Sequence, residues 1–375
     1  MSDELILTNT LVVLADEVIL GSVKLVDGRI AEIGSPFAGG LDLEGDYLLP
    51  GLVELHTDHL ENHYAPRPGV RWNPVSAVQA HDAQVAAAGI TTVLDALRVG
   101  LNPDDGMSAA DIWQLAEGIR ASIVSDRLRA DHYLHLRCEV AAPNCLETFH
   151  TFEADPLVRL ASLMDHSPGQ RQFASIEAYR SYYQRKKRLS DTEFERFAER
   201  RIAESQEFAA QHRKAIAELA RERGITLASH DDATVEQVSE AEAHGIAIAE
   251  FPTTLEAADA SRQAGMSILM GAPNVVRGGS HSGNVSAGEL ARDGLLDILS
   301  SDYVPSSLLQ SVFALEDEIS LPAAVGLVSR QPARSAGFTD RGEIAVGRRA
   351  DLVQVKLLDD VPLVRTVWRE GRRVI

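Results

Sequence analysis

The sequence predicts an α/β protein: a (β/α)8 TIM-like barrel with a small β-sandwich formed by its N- and C-terminal segments. Two observations indicate this fold. Eight short apolar segments alternate with helical stretches through the middle of the chain, the pattern of parallel strands joined by helices. Strand-like segments broken by glycine turns occupy both chain ends. A doubly wound open sheet is the alternative.

The two chain ends are predicted to pair in one β structure. The segments "LILTNTLVVL" and "EVILGSVKLVDGRIAEIG" have strand composition, and Asp27-Gly28 is a hairpin signal. Near the other end, "GEIAVGRRADLVQVKL" and "VRTVWREGRRVI" are also predicted as strands. We therefore expect a β-sandwich domain from residues 1–50 and 339–375, and a barrel domain from residues 51–338.

The eight barrel strands are predicted at residues 52–57, 91–97, 133–140, 160–166, 225–230, 246–251, 267–272 and 297–302. A central region of this length suits a barrel of about 250 residues with insertions. The longest helical stretch begins at Ser190 or Asp191 and ends at Gly224, and its charges are expected to face solvent. Residues 167–190 are the one long strand-to-helix connection, and such connections are usually functional or mobile.

Composition narrows the class of protein. The 36 basic and 55 acidic residues give a net charge of -19, which argues against a nucleic-acid partner. No apolar run approaches the roughly 18 residues of a membrane helix, and the acidic start lacks a secretory signal, so we expect a cytoplasmic protein without membrane contact. Two cysteines are too few for a disulfide framework. Exposed strand edges and acidic helices permit a homodimer.

Polar side chains fall where the predicted barrel strands end. Active sites of such barrels lie at the carboxyl ends of the strands, so these residues are expected to converge on one rim. The first strand places His56 and Asp58 on the same face, because side chains alternate along a strand. The predicted metal ligands are His56, Asp58, Glu139, His166, His230 and Asp302.

These residue types point to metal chemistry. Imidazole and carboxylate without thiolate suit zinc, manganese or iron, and one or two divalent ions, zinc first among them, are expected. Glu139 is the candidate bridge between two ions, and Asp302 is the predicted catalytic base that orients or deprotonates water. Taken singly, each histidine is more often a hydrogen-bonded structural residue than a ligand.

The strand-end residues, together with "PGLVELHTD", "SSD" and "GEIAVGRRADLVQV", resemble the amidohydrolase superfamily over nearly the whole chain. The resemblance implies a metal-dependent hydrolytic barrel with a β-sandwich. Its usual first motif is His-x-His, whereas this chain has His56-x-Asp58. Many members bridge their metals with a carbamylated lysine, but none of the five lysines lies at a predicted strand end. Either Glu139 is the bridge or there is none.

Longer stretches are similar to a narrower family, the PhnM diphosphatases of the carbon-phosphorus lyase pathway. They are "HTDHLENHYAPRPGVRW", "HDAQVAAAGITTVLDAL", "LMDHSPGQRQF" and "GAPNVVRGGSHSGNVSA". This resemblance implies hydrolysis of alpha-D-ribose 1-methylphosphonate 5-triphosphate to the 5-phosphate and pyrophosphate, in phosphonate catabolism. The alternatives are an amidohydrolase that cleaves a C-N bond, such as a deacetylase or cyclic amidase, and a noncatalytic phosphosugar-binding barrel.

A small phosphosugar substrate would need donors for its phosphates. Arginine offers paired donors, and glycine-rich loops after the last barrel strands commonly bind phosphate. The predicted phosphate-binding residues are Arg67, Arg71, Arg277, Gly279, His281 and Asn284. The alternative interpretation of the loop that contains Gly279 is a flexible turn that binds no ligand. The basic cluster Arg185 to Arg188 would either close over the anion or begin a solvated helix.

The remaining polar residues near the first strand are expected to support the site. His59, Glu61 and His81 are the candidates for hydrogen-bonding groups behind the metal ligands. Asp82 could instead be the N-terminal cap of a helix that contains "AQVAAAG". The chain lacks the G-x-x-x-x-G-K-[ST] motif of P-loop enzymes.

Overall fold

The computed structural model of the chain describes residues 4–35, 37, 39–101, 106–171, 175–279 and 284–375. Its strands are β1 Glu4–Val13, β2 Val18–Val26, β3 Arg29–Gly34, β4 Leu41–Asp42, β5 Tyr47–Pro50, β6 Leu52–Thr57, β7 Ile90–Val99, β8 Asp131–Glu139, β9 Val158–Met164, β10 Thr226–His230, β11 Ile248–Glu250, β12 Ser267–Gly271, β13 Ile298–Ser300, β14 Leu352–Leu358, β15 Val361–Arg369 and β16 Arg372–Arg373.

The helices are α1 His59–Tyr64, α2 Pro74–Ala87, α3 Ala109–Val124, α4 Cys145–His150, α5 Ile176–Lys187, α6 Asp191–Glu204, α7 Ala210–Arg223, α8 Val235–Ala243, α9 Leu255–Gln263, α10 Ala272–Val276, α11 Ala287–Arg292, α12 Ser307–Ala314, α13 Leu321–Leu327 and α14 Arg330–Ser335. A π-helical segment, Ser205–Ala209, joins α6 to α7. Within the described residues, none of these helices is long and apolar enough to cross a membrane.

A mixed sheet contains strands from both chain ends, in the order β16-β15-β14-β5-β1-β2-β3, with β4 beside β1. The two ends join where β14 pairs antiparallel with β5, which in turn pairs parallel with β1. The predicted pairing of the chain ends is therefore confirmed. So is the hairpin signal: β2 and β3 meet through Asp27 and Gly28, whose φ angles of 48° and 77° suit a two-residue turn.

Alternate side chains of this mixed sheet pack into one apolar core. Because side chains alternate along a strand, one face of each strand can be buried while the other meets solvent. Fully burying a large apolar side chain contributes about 1.5–3 kcal/mol. The buried core residues are Leu7, Val12, Val23, Leu25, Ile30, Leu43, Leu48, Ile344, Ala350, Leu352 and Trp368.

The second sheet is the predicted parallel barrel. Its eight strands lie in chain order from β6 to β13, and helices lie between successive strands. A parallel bridge between Thr57 and Asp302 connects the ends of the first and last strands. All eight predicted barrel strands are present, with boundaries that differ by no more than a few residues, and the fold class is confirmed.

The chain divides into two compact units. The first contains Met1–Asp95, Leu115–Tyr133 and Met270–Ile375, and the second contains Ala96–Gln114 and Leu134–Leu269. The second unit includes the longest helical stretch, in which Ser190 caps α6 through a capping box with Glu193 and Gly224 ends α7 with φ of 69°. Both predicted ends of this stretch are confirmed.

Two sequence expectations about this helical region need correction. Residues 167–190 were expected to be one long connection, but they contain α5, whose Tyr179 packs with Phe194 and Phe197 of α6. The basic cluster therefore begins in the last turn of α5, where positive charge is favourable, and does not begin a helix. The charges of α6 were expected to face solvent, yet Arg201 is 4% exposed.

Candidate active site

In the first unit, His56 and Asp302 are joined through the backbone. The nitrogen of Asp302 donates to the carbonyl of His56 at 3.1 Å, and the hydroxyl of Thr57 donates to the carbonyl of Asp302 at 2.8 Å. Both predicted ligands are thus fixed at the ends of β6 and β13. Asp58 follows Thr57 and occupies the N-cap position of α1, without a side-chain capping hydrogen bond.

A buried carboxylate, Glu54, supports this end of the first unit. It is fully buried and accepts bonds from the backbone nitrogens of His56 and Ser301, each at 2.6 Å. Burial raises the pKa of Glu54, although the bonds from Ser301, His56 and Ser300 act in the opposite direction. Glu54 therefore holds together two segments that contain predicted ligands.

In the second unit, Glu139 and His166 form a close pair. Glu139 accepts from the backbone nitrogen of His166 at 3.0 Å and from its Nδ1 at 2.6 Å. Arg201 of α6 donates to the same carboxylate at 3.0 Å. Burial would raise the pKa of Glu139, but His166 and Arg201 outweigh it and lower this pKa to about 2. Burial also opposes protonation of His166, yet the charge of Glu139 raises the His166 pKa.

His230 has a carboxylate partner of its own, Glu250 of β11. Its Nδ1 lies 3.2 Å from Glu250 Oε2, which also accepts from the hydroxyl of Ser162 at 2.7 Å. Ser162 in turn makes a short hydrogen bond with His135 Nε2. Glu250 is fully buried, so these partners satisfy a charge that would otherwise be costly.

The two histidines face a third carboxylate, Asp231. The Nε2 atoms of His166 and His230 lie 3.9 Å and 3.5 Å from Asp231 Oδ2, and their ring centroids are 5.4 Å apart. Ligand atoms of these three residues lie within 4.8 Å of one another. In each histidine a carboxylate engages Nδ1, so a metal would be bound through Nε2.

Backbone strain marks several strand ends. Asp231 and Phe251 follow β10 and β11 with φ angles of 58° and 54°, and Asp302 follows β13 with φ of 53°. Residues with side chains rarely adopt this left-handed conformation, which costs of order 1–3 kcal/mol and concentrates at functional sites. Asp302 in the first unit and Asp231 in the second are acidic residues at these strand ends.

The three arginines among the predicted phosphate-binding residues are exposed. Arg67 and Arg71 are exposed on either side of the turn at Gly69, and Arg71 lies over the ring of Tyr64 at 5.8 Å. Arg277 is exposed after α10 and Gly279 has φ of 150°. The side chain of Asn284 is half-buried, and His281 lies outside the described residues.

The predicted supporting residues lie on α1 and α2. His59 Nε2 lies 2.9 Å from Gln84 Oε1, and His81 Nε2 lies 2.8 Å from Asp95 Oδ1. Glu61 is half-buried in the first turn of α1. Asp82 was expected as an alternative helix cap. Instead it is buried inside α2, which begins at Pro74 with Asn73 as its cap.

Three residues of the site were missed from the sequence. Asp231 follows His230 in "SHDD", and Glu250 is a single acid inside the apolar strand "IAIAEF", so each carried a signal. Arg201 had none, because it lies among many charges on a long helix. Its burial depends on contacts with Glu139 and Glu204.

Comparison with known proteins identifies the family of this chain. A sequence model described as the Amidohydrolase family matches residues 47–374. The chain is 48% identical, over 99% of its length and 100% of the relative, to the alpha-D-ribose 1-methylphosphonate 5-triphosphate diphosphatase of Escherichia coli (strain K12).

Solved structures share the fold at low sequence identity. The 5-methylcytosine deaminase of Klebsiella pneumoniae has a TM-score of 0.64 at 14% identity, covering 99% of this chain and 98% of that one. The beta-aspartyl dipeptidase of Fervidobacterium islandicum has a TM-score of 0.64 at 16% identity, with coverage of 100% and 97%. Because the family match spans most of the sequence, this chain belongs to the amidohydrolase family.

Proposed function

We propose that this chain hydrolyses alpha-D-ribose 1-methylphosphonate 5-triphosphate to alpha-D-ribose 1-methylphosphonate 5-phosphate and pyrophosphate. The observation that carries the proposal is the 48% identity to the diphosphatase of that name, which extends over 99% of this chain and all of the relative. Membership of the amidohydrolase family supports a metal-dependent hydrolase.

The second unit has residues that fit a divalent metal. His166, His230 and Asp231 offer two imidazole nitrogens and a carboxylate oxygen within 4.8 Å of one another, a donor set that suits zinc. When bound, the metal supplies a Lewis acid that activates water and withdraws charge from a phosphoryl group. His56, Asp58, Glu139 and Asp302 stay proposed ligands from the sequence.

Glu139 and Glu250 prepare the two histidines for this role. Each carboxylate accepts a hydrogen bond from the Nδ1–H group, so the Nε2 lone pair points away from it. Such partners fix the ring orientation and make the imidazole a stronger donor. For Glu139 to serve as the bridging ligand, it would have to give up its bond with His166 or with Arg201.

The triphosphate needs positive charge close to these residues. Arg137 is half-buried on the same face of β8 as His135 and Glu139, and its charge opposes protonation of His166. We assign Arg137 to substrate phosphate, in addition to Arg67, Arg71 and Arg277. The Arg137 guanidinium would pair with phosphate oxygens through two parallel hydrogen bonds.

Asp302 is our proposed general base. Its backbone nitrogen and carbonyl are held by His56 and Thr57, so the position of its carboxylate is set by two strands. Its left-handed φ of 53° is a strained conformation that these contacts maintain. Such a fixed carboxylate would accept the proton of the attacking water.

Four further properties are part of the proposal. We expect zinc in preference to manganese or iron, because two of the three donors in the described group are imidazoles. We also expect the chain to act in the cytoplasm. Its net charge of -19 supports our expectation that it has no nucleic-acid partner. A homodimer remains our expectation from the exposed strand edges.

The test is incubation of the purified chain and zinc with the triphosphate in oxygen-18 water. We expect pyrophosphate and the 5-phosphate in equal amounts, with one labelled oxygen in one product, and no turnover after chelation. Release of single phosphate would contradict the proposal. A phosphate-free cyclic amide should not be turned over, and a binding protein would give no product in a single-turnover assay.

A further inference from the structure

Three histidines on α1 and α2, which are not among the predicted metal ligands, form a cluster. His59 and His63 are four residues apart on α1, so their side chains share one face of the helix. The ring centroids of these two residues are 5.1 Å apart. The ring centroid of His81 lies 6.1 Å from that of His59 and 6.0 Å from that of His63. Each ring therefore neighbours the other two.

One ring nitrogen of His81 is buried and has no hydrogen-bond partner among the described residues. Its side chain is fully buried and its Nε2 lies 2.8 Å from Asp95 Oδ1. Burial would raise the pKa of Asp95, but His132 and His81 outweigh it and lower this pKa to about 2, so Asp95 is charged and His81 Nε2 donates. Nδ1 is then an acceptor, and it has no partner among the residues that the structure describes. Leaving such an atom unsatisfied costs about 1–3 kcal/mol.

His59 and His63 offer further imidazole nitrogens from a position that solvent reaches. The Nε2 atoms of both lie near one oxygen of the exposed Gln84, at 2.9 Å and 3.1 Å. Both histidines are half-buried, so an ion can enter from this side. His59 Nδ1 is also buried without a partner among the described residues. Burial, followed by the neighbouring histidines, lowers the pKa of His63 and favours neutral imidazole, the form that binds metals.

We propose that His59, His63 and His81 form a second metal site, made of none of the predicted strand-end ligands, that binds one Zn²⁺ ion or a similar late transition-metal ion. Imidazole is a preferred ligand of such ions, and a pair of histidines four residues apart on a helix presents two of them to one ion. Asp95 then acts as the carboxylate that orients a metal-binding histidine. Binding requires His59 and His63 to turn from Gln84 toward His81.

The other side of His81 is a poorer place for an ion. His81, Asp95 and His132 also have ligand atoms within 4.8 Å of one another. However, hydrogen bonds of 2.8 Å and 2.7 Å already join them through Asp95. Burial would lower the pKa of His132, but Asp95 and Asp82 outweigh it and raise this pKa to about 10. A cation there would have to displace a proton from a paired, charged histidine.

The test measures zinc binding by the full-length chain and locates it by chemical labelling. Zn²⁺ alone is titrated into the wild type, His63→Gln and the control His150→Gln, which changes an exposed histidine on α4. Diethyl pyrocarbonate then labels accessible histidines with and without zinc, and mass spectrometry of peptides reports on each one. His81→Gln is a second variant, but it removes a buried partner of Asp95 and so requires a check of folding.

The expected result is that His63→Gln binds one zinc equivalent fewer than the wild type, whereas His150→Gln binds the same number. Zinc should also protect His59 and His63 from labelling in the wild type. Equal zinc content in the wild type and His63→Gln, or equal labelling of His59 with and without zinc, would overturn the proposal. Neither measurement depends on hydrolysis, so the result is separable from that of the proposed function.

Discussion

Arg201 lies 3.0 Å from Glu139, although 62 residues separate them along the chain. Arg201 is 4% exposed, so the pair is largely shielded from water. Burial would lower the pKa of Arg201, but the charge of Glu139 outweighs it and raises this pKa. The contact connects α6 to the carboxyl end of β8, where Glu139 also holds His166.

We expect Arg201→Met to destabilise the fold by about 3 kcal/mol at pH 7, the lower end of the cost of breaking a buried pair, because Glu139 keeps its bonds from His166. The pKa of Glu139 is lowered from an ordinary 4.5 to about 2, so its ionised form is stabilised in the folded protein. This contribution to stability is complete above pH 4.5 and is lost as the pH falls toward 2. Urea unfolding at pH 7 and pH 3 measures both effects. The difference in the free energy of unfolding between Arg201→Met and the wild type should be smaller at pH 3 than at pH 7.

The matched control for this prediction is Arg200→Met. Arg200 is the neighbouring residue, its side chain is 48% exposed, and it lies 3.9 Å from Glu204. Exposed pairs contribute about 0–1 kcal/mol, so this variant should be close to wild type. Equal losses in the two variants would show that the Glu139 contact is not the cause.

Glu250→Gln should weaken metal binding while the fold is retained. The amide keeps the size of the side chain, but it removes the negative charge that fixes His230 through Nδ1. Loss of such a partner typically costs about 10–100-fold in metal affinity. Competition with a zinc chelator measures the change, and Glu256→Gln, on the exposed start of α9, is the control. Identical affinities for the two variants would be inconsistent with this role.

Stability should fall at high pH because of His132. Its pKa is raised from 6.5 to about 10, so its contribution is complete below pH 6.5 and is lost as the pH rises through 10. The slope for one group approaches about 1.4 kcal/mol per pH unit. Urea midpoints at pH 6, 8 and 10 in chelator should decline more steeply for wild type than for His132→Asn. His150→Asn should behave like wild type, and parallel curves for all three would refute the prediction.

Arg71→Ala and Glu139→Gln should separate substrate binding from metal binding. Arg71 is exposed beside Tyr64, so its loss should mainly raise KM and leave the metal content unchanged. Glu139→Gln disturbs His166 directly and should lower the metal content. Elemental analysis and initial rates over a range of triphosphate concentrations measure the two quantities. Equal metal contents in both variants would refute this division.

Much of the fold could be predicted from the sequence because its signals are local. Alternation of apolar segments with helical stretches located all eight barrel strands, and the Asp27-Gly28 pair located a hairpin. Ser190 and Gly224 located the ends of the longest helical stretch through capping chemistry. Their positions at strand ends also made Glu139, His166 and His230 candidate site residues. In the second unit, Glu139 contacts His166 and the ring of His166 neighbours that of His230.

The sequence by itself determined which strands form and which polar residues end them, because backbone preference and side-chain alternation act over a few neighbouring residues. Only the tertiary structure decided which partner each polar group meets. Arg201 is buried against Glu139, and the Nδ1 atoms of His166 and His230 are engaged by different carboxylates. Such pairings join residues far apart in the chain, and their energy comes from satisfying buried charges that no local pattern reveals.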